Sequence, residues 1–328
     1  MKAATDGNKY IPYDNRTGDE STVFFTRDLS AEGLQKIFDR VCGELCGTVA
    51  VKLHTGEPNG PNIIPRSWVR QLMEQRLPKA AIVETNSYYP GDRHTTQAHR
   101  KTLQINGWDF CPVDILDEDG GEDYPVHGGK WFDTICIGKN LKNYDSMLVL
   151  THFKGHTNGG FGGSNKNIGI GCAEADHGKR AIHTVPGQDI WSISKEEFME
   201  RMTESTKAVI DHFGKKIVYI NIMRNMSVSC DCEGIYAEPV VTPNVGICAS
   251  TDILAVDQAC VDMIYAMTPA DRHALVERME SRRGLRQLSY MKELNMGNDR
   301  YRLIDMDEND AVITASDAVA DVTPFVFE

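Results

Sequence analysis

Two kinds of hydrophobic pattern run along this chain, and together they predict alternating strands and helices. Continuous apolar runs are typical of strands buried on both faces, and they occur at 48–53, 80–83, 146–150 and 216–222. Apolar residues spaced by three or four positions predict helices, at 30–47, 65–77, 93–105, 194–214 and 251–267. Further helices are expected up to residue 294, followed by a small hairpin over 301–314.

Strands that alternate with helices predict an α/β fold, with a largely parallel, doubly wound sheet covered by helices on both faces. A chain of 328 residues is also long enough to form two lobes around a cleft. Residues 1–20 are polar and lack periodicity, so we expect a loose N-terminal arm before a single domain over 21–328. In such sheets, ligands bind beyond the carboxyl ends of the strands.

The stretch 151–183 has the composition of a ligand site. It follows an apolar strand and combines glycines with four histidines, three lysines and one arginine. Glycine lets backbone N–H groups approach a ligand, and the charged side chains supply donors. We expect His156 and Lys166 to be catalytic, and the ligand to be bound by Lys154, Gly162, Gly163, Asn167 and Lys179. His183 and His152 are candidate metal ligands; alternatively, the glycines form a structural turn and the histidines lie at the surface.

A second polar segment leaves the strand at 80–83 and enters the helix at 93–105. We expect Asn86 and Arg93 to bind the ligand, and His99 to transfer protons together with His156. An ordinary, partly buried histidine explains His99 equally well, so both interpretations stay open.

Cys230 and Cys232 flank Asp231 after the strand at 216–222. Two thiolates are able to bind a soft metal, but they do not complete a zinc site, and the local cysteine run of ferredoxins is absent. A 4Fe–4S cluster is therefore not expected, and buried thiols without a metal are the alternative. The candidate cofactors are a divalent metal or a metal-containing nucleotide.

Composition and charge narrow the classes of partner. The formal net charge is −12, whereas the stretch 151–183 holds four Lys and Arg against Glu174 and Asp176. A local positive balance in an acidic protein predicts a small anionic ligand and disfavours nucleic acid. No signal peptide and no apolar run of membrane-spanning length is recognisable, so a cytoplasmic protein with reduced thiols is expected. A homo-oligomer is compatible with this composition.

Six segments in order resemble the domain-of-unknown-function 362 family: VKLHTGEPNG, TNSYYPGDRHTTQAHR, LTHFKGHTNGGFGGSNKNIGIGCA, GK with a following IH, SCDC and ASTDILAVDQACVDMI. The resemblance implies a family domain over about 48–265, with C-terminal helices and the hairpin over 266–328. Members are often described as iron–sulfur centre proteins, and many carry a ferredoxin-like insert after the GK motif. Here 184–194 occupies that place without a cysteine, so no inserted cluster is implied.

A second resemblance is to the nickel-pincer lactate racemase family. It rests on the order of an HR pair, a histidine before a glycine-rich loop and a lysine, and a distal histidine. It implies that His99 and His156 form an acid–base pair. It also implies that Lys166 bonds to the pincer nucleotide and that His183 binds the metal. The chain departs from that family at Gly-Gly-Ser-Asn-Lys, where a shorter glycine–lysine spacing is usual.

Three functions are compatible with these observations. The first is an isomerase- or oxidoreductase-like enzyme that binds an anionic small molecule, or a phosphorylated or metal cofactor, and uses histidine acid–base chemistry. The second is an iron–sulfur or other metal-binding electron-transfer protein that uses Cys230 and Cys232. The third is a ligand-binding module without catalysis. We favour the enzyme, because titratable groups are concentrated in one stretch.

Overall fold

The computed structural model describes residues 7–185, 187–188 and 192–323. Its strands are β1 (Glu20–Thr26), β2 (Val49–Lys52), β3 (Ala81–Glu84), β4 (Val113–Ile115), β5 (Gly121–Pro125), β6 (Thr134–Gly138), β7 (Ser146–His152), β8 (Lys154–His156), β9 (Gly160–Gly162), β10 (Ile217–Met223), β11 (Gly246–Ser250), β12 (Arg300–Asp305) and β13 (Ala311–Ile313). A nine-stranded sheet has the order β13-β12-β1-β11-β10-β7-β2-β3-β4. The remaining described strands pair as β5 with β6 and β8 with β9.

The helices are α1 (Ala31–Val41), α2 (Arg66–Arg76), α3 (Thr96–Ile105), α4 (Ser164–Gly171), α5 (Arg180–His183), α6 (Lys195–Phe213), α7 (Ile253–Ala266), α8 (Pro269–Ser281), α9 (Arg286–Glu293) and α10 (Ala315–Ala318). The Ser30 and Ser194 hydroxyls accept hydrogen bonds from the first turns of α1 and α6, which places both N-termini where they are predicted. The first helix ends earlier than predicted, at Val41, because residues 42–44 tighten into a short 3-10 turn before Gly47.

The central sheet is mostly parallel, which confirms the predicted α/β class. The strands β4, β3, β2, β7 and β10 are parallel neighbours, and β1 is parallel to β12. The exceptions are β11, which is antiparallel to β10 and β1, and β13, which is antiparallel to β12 and completes the predicted hairpin. The hydrophobic pattern does not reveal β11, because Gly246, Ala249 and Ser250 are small residues without a strand signature.

Hydrophobic clusters cover both faces of the sheet, as predicted for a doubly wound fold. One cluster includes Ile168 of α4, Met202 of α6 and Leu254 of α7, and the other includes Leu34 of α1 and Leu72 of α2. Every residue of β7 and β10 is therefore buried. No helix in the described part of the chain has the length and apolarity needed to cross a bilayer.

Arg16 ties the N-terminal segment to the C-terminal half of the fold. Its guanidinium lies 2.6 Å from both carboxylate oxygens of Asp262, and both side chains are buried. The segment predicted to be a loose arm, 1–20, is therefore held in place at Arg16. Its first part, 1–6, lies outside the described residues.

Candidate active site

The carboxyl ends of β2, β3 and β7 open into a cavity of about 320 Å³, called the site cavity here. This is the edge of the sheet where the polar residues following the predicted strands were expected to meet. The residues predicted from the sequence that line the cavity are Arg93, His152, Lys154, His156, Gly162, Gly163, Lys166, Asn167, Lys179, His183 and Cys232. Three predicted residues are not part of the lining: Asn86, His99 and Cys230.

Glu84, at the end of β3, is a buried carboxylate that lines the cavity and contacts several polar side chains. No local sequence pattern identifies it. Its carboxylate lies 2.6 Å from His54 Nδ1 and 2.9 Å from Thr55 Oγ1. It also lies 3.1 Å from His99 Nε2 and 3.2 Å from Arg93 Nη1. Burial raises the pKa of this carboxyl, but the charge of Arg93 and the interaction with His54 outweigh burial and hold the pKa well below its usual value. Glu84 is therefore ionised.

His99, for which a proton-transfer role and a buried structural position are both expected, is not among the residues that line the site cavity. The side chain is fully buried, with Nδ1 3.2 Å from Asn86 Oδ1 and Nε2 3.1 Å from Glu84 Oε2. Asn86 is engaged in the same way, because its amide nitrogen donates to Thr96 Oγ1 at 3.0 Å. His99 thus contacts Glu84 directly, and Asn86 contacts His99, on the side of Glu84 away from the cavity lining.

His54 is the imidazole that Glu84 holds at the site cavity. A carboxylate only accepts hydrogen bonds, so the neutral ring carries its hydrogen on Nδ1, 2.6 Å from Glu84 Oε1. The lone pair is then on Nε2, which is buried and has no hydrogen-bond partner among the described residues. An imidazole anchored on a carboxylate, with no protein partner on its second nitrogen among the described residues, has the hydrogen-bonding pattern of a general base. The signal in the sequence is a histidine directly after an apolar strand.

Cationic side chains outnumber carboxylates in the cavity lining. Glu84 and Glu233 face five cations, namely Lys52, Arg93, Lys154, Lys166 and Lys179. Lys52, at the end of an apolar strand, is a further residue that the sequence analysis does not identify. Burial lowers the pKa of Lys52, and it lowers that of Lys179 to about 8. This lining supports the predicted preference for an anion.

Asn167 has a structural role that the sequence does not reveal. Its side-chain nitrogen donates to Thr151 Oγ1 at 2.9 Å and to the carbonyls of Leu150 and Lys52. Its side-chain oxygen accepts from Lys52 Nζ at 2.9 Å. Although Asn167 lines the cavity, its polar atoms therefore join β2 to β7.

Asp231 anchors two of the predicted residues. Its carboxylate lies 2.9 Å from His152 Nδ1 and 3.0 Å from Lys154 Nζ. Burial raises the pKa of Asp231, but His152 and Lys154 outweigh burial and lower the pKa below its usual value. The other nitrogen of His152, Nε2, lies 2.7 Å from the carbonyl of Arg224. His152 therefore has no nitrogen left for a metal, contrary to the sequence-based expectation.

Cys230 and Cys232, called the dithiol here, lie beside Lys166 and His156. The sulfur of Cys230 is 3.9 Å from Lys166 Nζ, and that of Cys232 is 3.8 Å from His156 Nε2. The two sulfurs and a His156 ring nitrogen all lie within 4.8 Å of one another. A hydrogen bond from Cys232 lowers the pKa of Cys230, burial opposes this, and the charge of Lys166 lowers it further. The ammonium group of Lys166 therefore favours the thiolate form of Cys230.

The backbone fixes the tautomer of His156. Its Nδ1 accepts from the Gly159 N–H at 2.7 Å and from the Asn158 N–H at 3.2 Å, so the ring hydrogen is on Nε2, toward Cys232. Burial, and then the charge of Lys166, lower the pKa of His156 to about 4. A metal at Nε2 would displace that hydrogen, and Nδ1 could accept it only by losing the Gly159 bond. This arrangement favours donation to a thiolate over coordination of a metal.

His183 has the opposite tautomer. Its Nδ1 donates to the carbonyl of Lys179 at 2.6 Å, so the lone pair is on Nε2. Burial lowers the pKa of His183 to about 3. The ring stacks against Tyr88, with centroids 6.0 Å apart, and lies tilted against Phe198, with centroids 5.0 Å apart. A neutral imidazole with its other nitrogen bonded to a carbonyl retains the form of a metal ligand.

The first N–H groups of α4 bind a protein carboxylate. Ser164 N and Asn165 N donate to Asp257 Oδ1 and Oδ2 at 2.7 Å and 2.9 Å, and Asn221 Nδ2 donates to Oδ1 at 2.8 Å. These two N–H groups are therefore already paired with a carboxylate of the protein. Asp257, on α7, takes the position that an anion would occupy.

The two neighbouring glycines of this loop are expected to respond differently to alanine. A Cβ at Gly163 would lie 2.5 Å from Asp257 Oδ1, so Gly163→Ala should lower the free energy of unfolding by about 1–3 kcal/mol. A Cβ at Gly162 would lie 3.6 Å from the nearest atoms of Lys154 and Lys166, an ordinary contact. Gly162→Ala is therefore the matched control in urea denaturation. Equal losses in the two variants would contradict the steric explanation.

The residues of the site cavity lie within a segment that matches a known protein family. A family model described as "Domain of unknown function (DUF362)" matches residues 49–262, more than half of the chain. This chain belongs to the DUF362 family. The matched range confirms the resemblance predicted over 48–265. The place of the ferredoxin-like insert, 184–194, lies partly outside the described residues of this DUF362 protein. No curated protein matches the chain.

Solved structures resemble this DUF362 protein at low identity. The lactate racemase apoprotein from Thermoanaerobacterium thermosaccharolyticum is 10% identical, with a TM-score of 0.38, over 86% of this chain and 82% of its own. A Thermotoga maritima protein from the Northeast Structural Genomics Consortium is 13% identical, with a TM-score of 0.38, over 78% of this chain and 57% of its own.

The nickel-pincer cofactor implied by the sequence resemblance does not fit the observed residues as a set. Lys166 and His183 line the site cavity, but His99, the implied partner of His156, does not. The N–H groups at the start of α4, which would suit a nucleotide phosphate, donate to Asp257. No step of the chemistry is therefore assigned to such a cofactor.

Proposed function

We propose that this DUF362 protein is an enzyme that binds a small anionic molecule in the site cavity and transfers a proton from it. One observation carries the proposal: His54 lines the cavity with Nδ1 anchored 2.6 Å from Glu84 and with no hydrogen-bond partner for the buried Nε2 among the described residues. The ionised carboxylate keeps the imidazole in one tautomer and stabilises the imidazolium that forms when Nε2 accepts a proton.

The cationic lining supports the same function. Lys166 and Lys179 lie on the stretch 151–183 and face the cavity together with Arg93. A carboxylate or phosphate held by such groups stays close to the base, and negative charge that develops on it during proton removal is stabilised. Proton removal next to an anionic group begins many racemisations and isomerisations, and this is the reaction class we favour.

Deuterium exchange tests the proposal without knowledge of the product. The protein is incubated in D₂O with a panel of small carboxylic and phosphorylated carbon acids, and the loss of C–H signals is followed by proton NMR. We expect exchange in at least one anionic member of the panel. His54→Gln should lower that rate by about 100-fold, because general-base catalysis contributes factors of this size.

The matched control is His273→Gln, because His273 is an exposed histidine of α8. It should exchange at the wild-type rate. Calorimetric titration with the exchanging anion separates binding from catalysis, since His54→Gln should keep the wild-type affinity. A panel in which no anion exchanges, or a His54→Gln variant as fast as the wild type, would overturn the proposal.

A further inference from the structure

We propose that the dithiol of Cys230 and Cys232 exchanges with a small disulfide that carries carboxylate groups and binds in the site cavity. This activity rests on the anion-binding part of the proposed function and does not use the His54–Glu84 pair. The chemistry is thiol–disulfide exchange, in which the small disulfide is the oxidant and the dithiol is the reductant.

The positions of the two sulfurs suit this chemistry. Cys232 lines the cavity, whereas Cys230 is only 1% exposed and lies behind it. The two sulfurs are within 4.8 Å of each other, so a substrate attached to Cys232 would be within reach of Cys230. Asp231, between them, is fixed by His152 and Lys154, which holds the segment in place. Cys232 is thus positioned to attack, and Cys230 to resolve.

The surroundings of the dithiol stabilise a thiolate. Lys166 Nζ lies 3.9 Å from Cys230, and the Nε2–H of His156 points to Cys232 at 3.8 Å. A positive charge and a hydrogen-bond donor beside a thiol increase its thiolate fraction, and the thiolate is the reactive form. The Gly159 N–H keeps the hydrogen of His156 on Nε2. The dithiol therefore faces a hydrogen-bond donor, which favours thiolate chemistry over metal coordination.

The exchange takes place in two balanced steps. Cys232 passes its proton to the Cys230 thiolate and attacks one sulfur of the bound disulfide, whose sulfur–sulfur bond breaks and releases the first thiolate. Cys230 then attacks the Cys232 sulfur, and the Cys230–Cys232 bond forms as the second thiolate departs with the proton of Cys230. Two cysteine sulfurs are oxidised, and one small disulfide is reduced to two small thiols.

The site cavity selects the substrate. Its volume of about 320 Å³ admits a small disulfide but not a folded protein, and its lining holds five cations against two carboxylates. In free solution, a thiolate is repelled by a carboxylate-bearing disulfide. Inside this cavity, the same carboxylates are attracted, so the order of reactivity between charged and neutral disulfides should be reversed.

Two small disulfides of similar size provide the test. Reduced, anaerobic protein is mixed with dithiodiglycolate, which carries two carboxylates, or with neutral bis(2-hydroxyethyl) disulfide. Released thiol is measured over time, and the protein is analysed by mass spectrometry. We expect the anionic disulfide to react about tenfold faster than the neutral one, and a free cysteine peptide to show the opposite preference.

Substitutions of single residues identify the role of each cysteine and of Lys166. Cys232→Ser should abolish exchange, and both Cys230→Ser and Cys230→Ala should stop at a mixed disulfide on Cys232. Lys166→Met should remove most of the preference for the anionic probe. Equal rates for the two probes, completion of the reaction without Cys230, or a metal bound stoichiometrically to the dithiol would each overturn the proposal. Deuterium exchange on the same preparation shows which proposal fails, because it reports on His54 and not on sulfur oxidation.

Discussion

Glu84→Gln will lower the free energy of unfolding by about 3–5 kcal/mol, because it removes the charge of a buried carboxylate beside two buried cations, of which Arg93 retains, among the described residues, only its ion pair with Glu57. Arg93 Nη1 lies 3.2 Å from this carboxylate and Lys52 Nζ lies 3.9 Å from it. The one amide oxygen of glutamine cannot replace both carboxylate oxygens, which accept from His54 Nδ1 and from Thr55 Oγ1. Urea denaturation at pH 7, with wild type and variant compared at the same slope, measures the loss.

The pH dependence separates this electrostatic effect from a packing defect. The folded-state pKa of Glu84 is held below its unfolded value, so its contribution is fully present above the unfolded pKa and is lost as the pH falls. The difference between wild type and Glu84→Gln should therefore shrink below about pH 4.5. Glu118→Gln removes an exposed partner of Arg100 and should cost no more than about 1 kcal/mol. A pH-independent deficit in Glu84→Gln would contradict the charge argument.

Asp231→Asn is expected to have an effect of similar size, about 3–5 kcal/mol, for the same physical reason. The carboxylate lies between His152 and Lys154, which are both buried. Its loss leaves the Lys154 ammonium without an anion and shifts the segment that carries the dithiol. Urea denaturation again gives the free energy of unfolding.

A double variant tests whether the unpaired charge of Lys154 causes the decrease in the free energy of unfolding of Asp231→Asn. Lys154→Met removes that cation, so Asp231→Asn with Lys154→Met should be more stable than Asp231→Asn alone. Asp39→Asn is the matched control, because Asp39 forms an exposed pair with Arg76 and should cost at most about 1 kcal/mol. Strictly additive losses in the double variant would show that the charge of Lys154 is not the cause.

Much of the fold is predictable because long apolar runs and helical spacing are local properties. Both β7 and β10 contain an unbroken apolar run, and a capping serine, Ser194, precedes α6. The antiparallel strand β11 is not predictable in this way. Its small residues gain their burial from neighbours that are distant in the sequence, β1 and β10, and a local pattern does not contain that information.

The location of the candidate site is predictable from the sequence, but the hydrogen bonds between its side chains are not. The loop at 151–183 concentrates histidine, lysine and glycine, and it does line the cavity. The choice between His99 and His54 depends on which way each side chain points. That direction is set for His99 by the rotation of α3 about its axis and for His54 by its place after β2. Glu84 is missed because a single acidic residue at the end of a strand gains its meaning only from partners brought together by the fold.

The carboxylate that closes the start of α4 comes from Asp257, far along the chain from the loop it caps. During synthesis from the N-terminus, a nascent chain that has reached β10 already contains all five cations of the cavity lining but not this carboxylate. The loop at the site cavity consequently gains its carboxylate cap only once α7 has docked. In a fragment that ends before residue 257, the backbone N–H groups of Ser164 and Asn165 would lack this carboxylate and would be open to anions from the solvent.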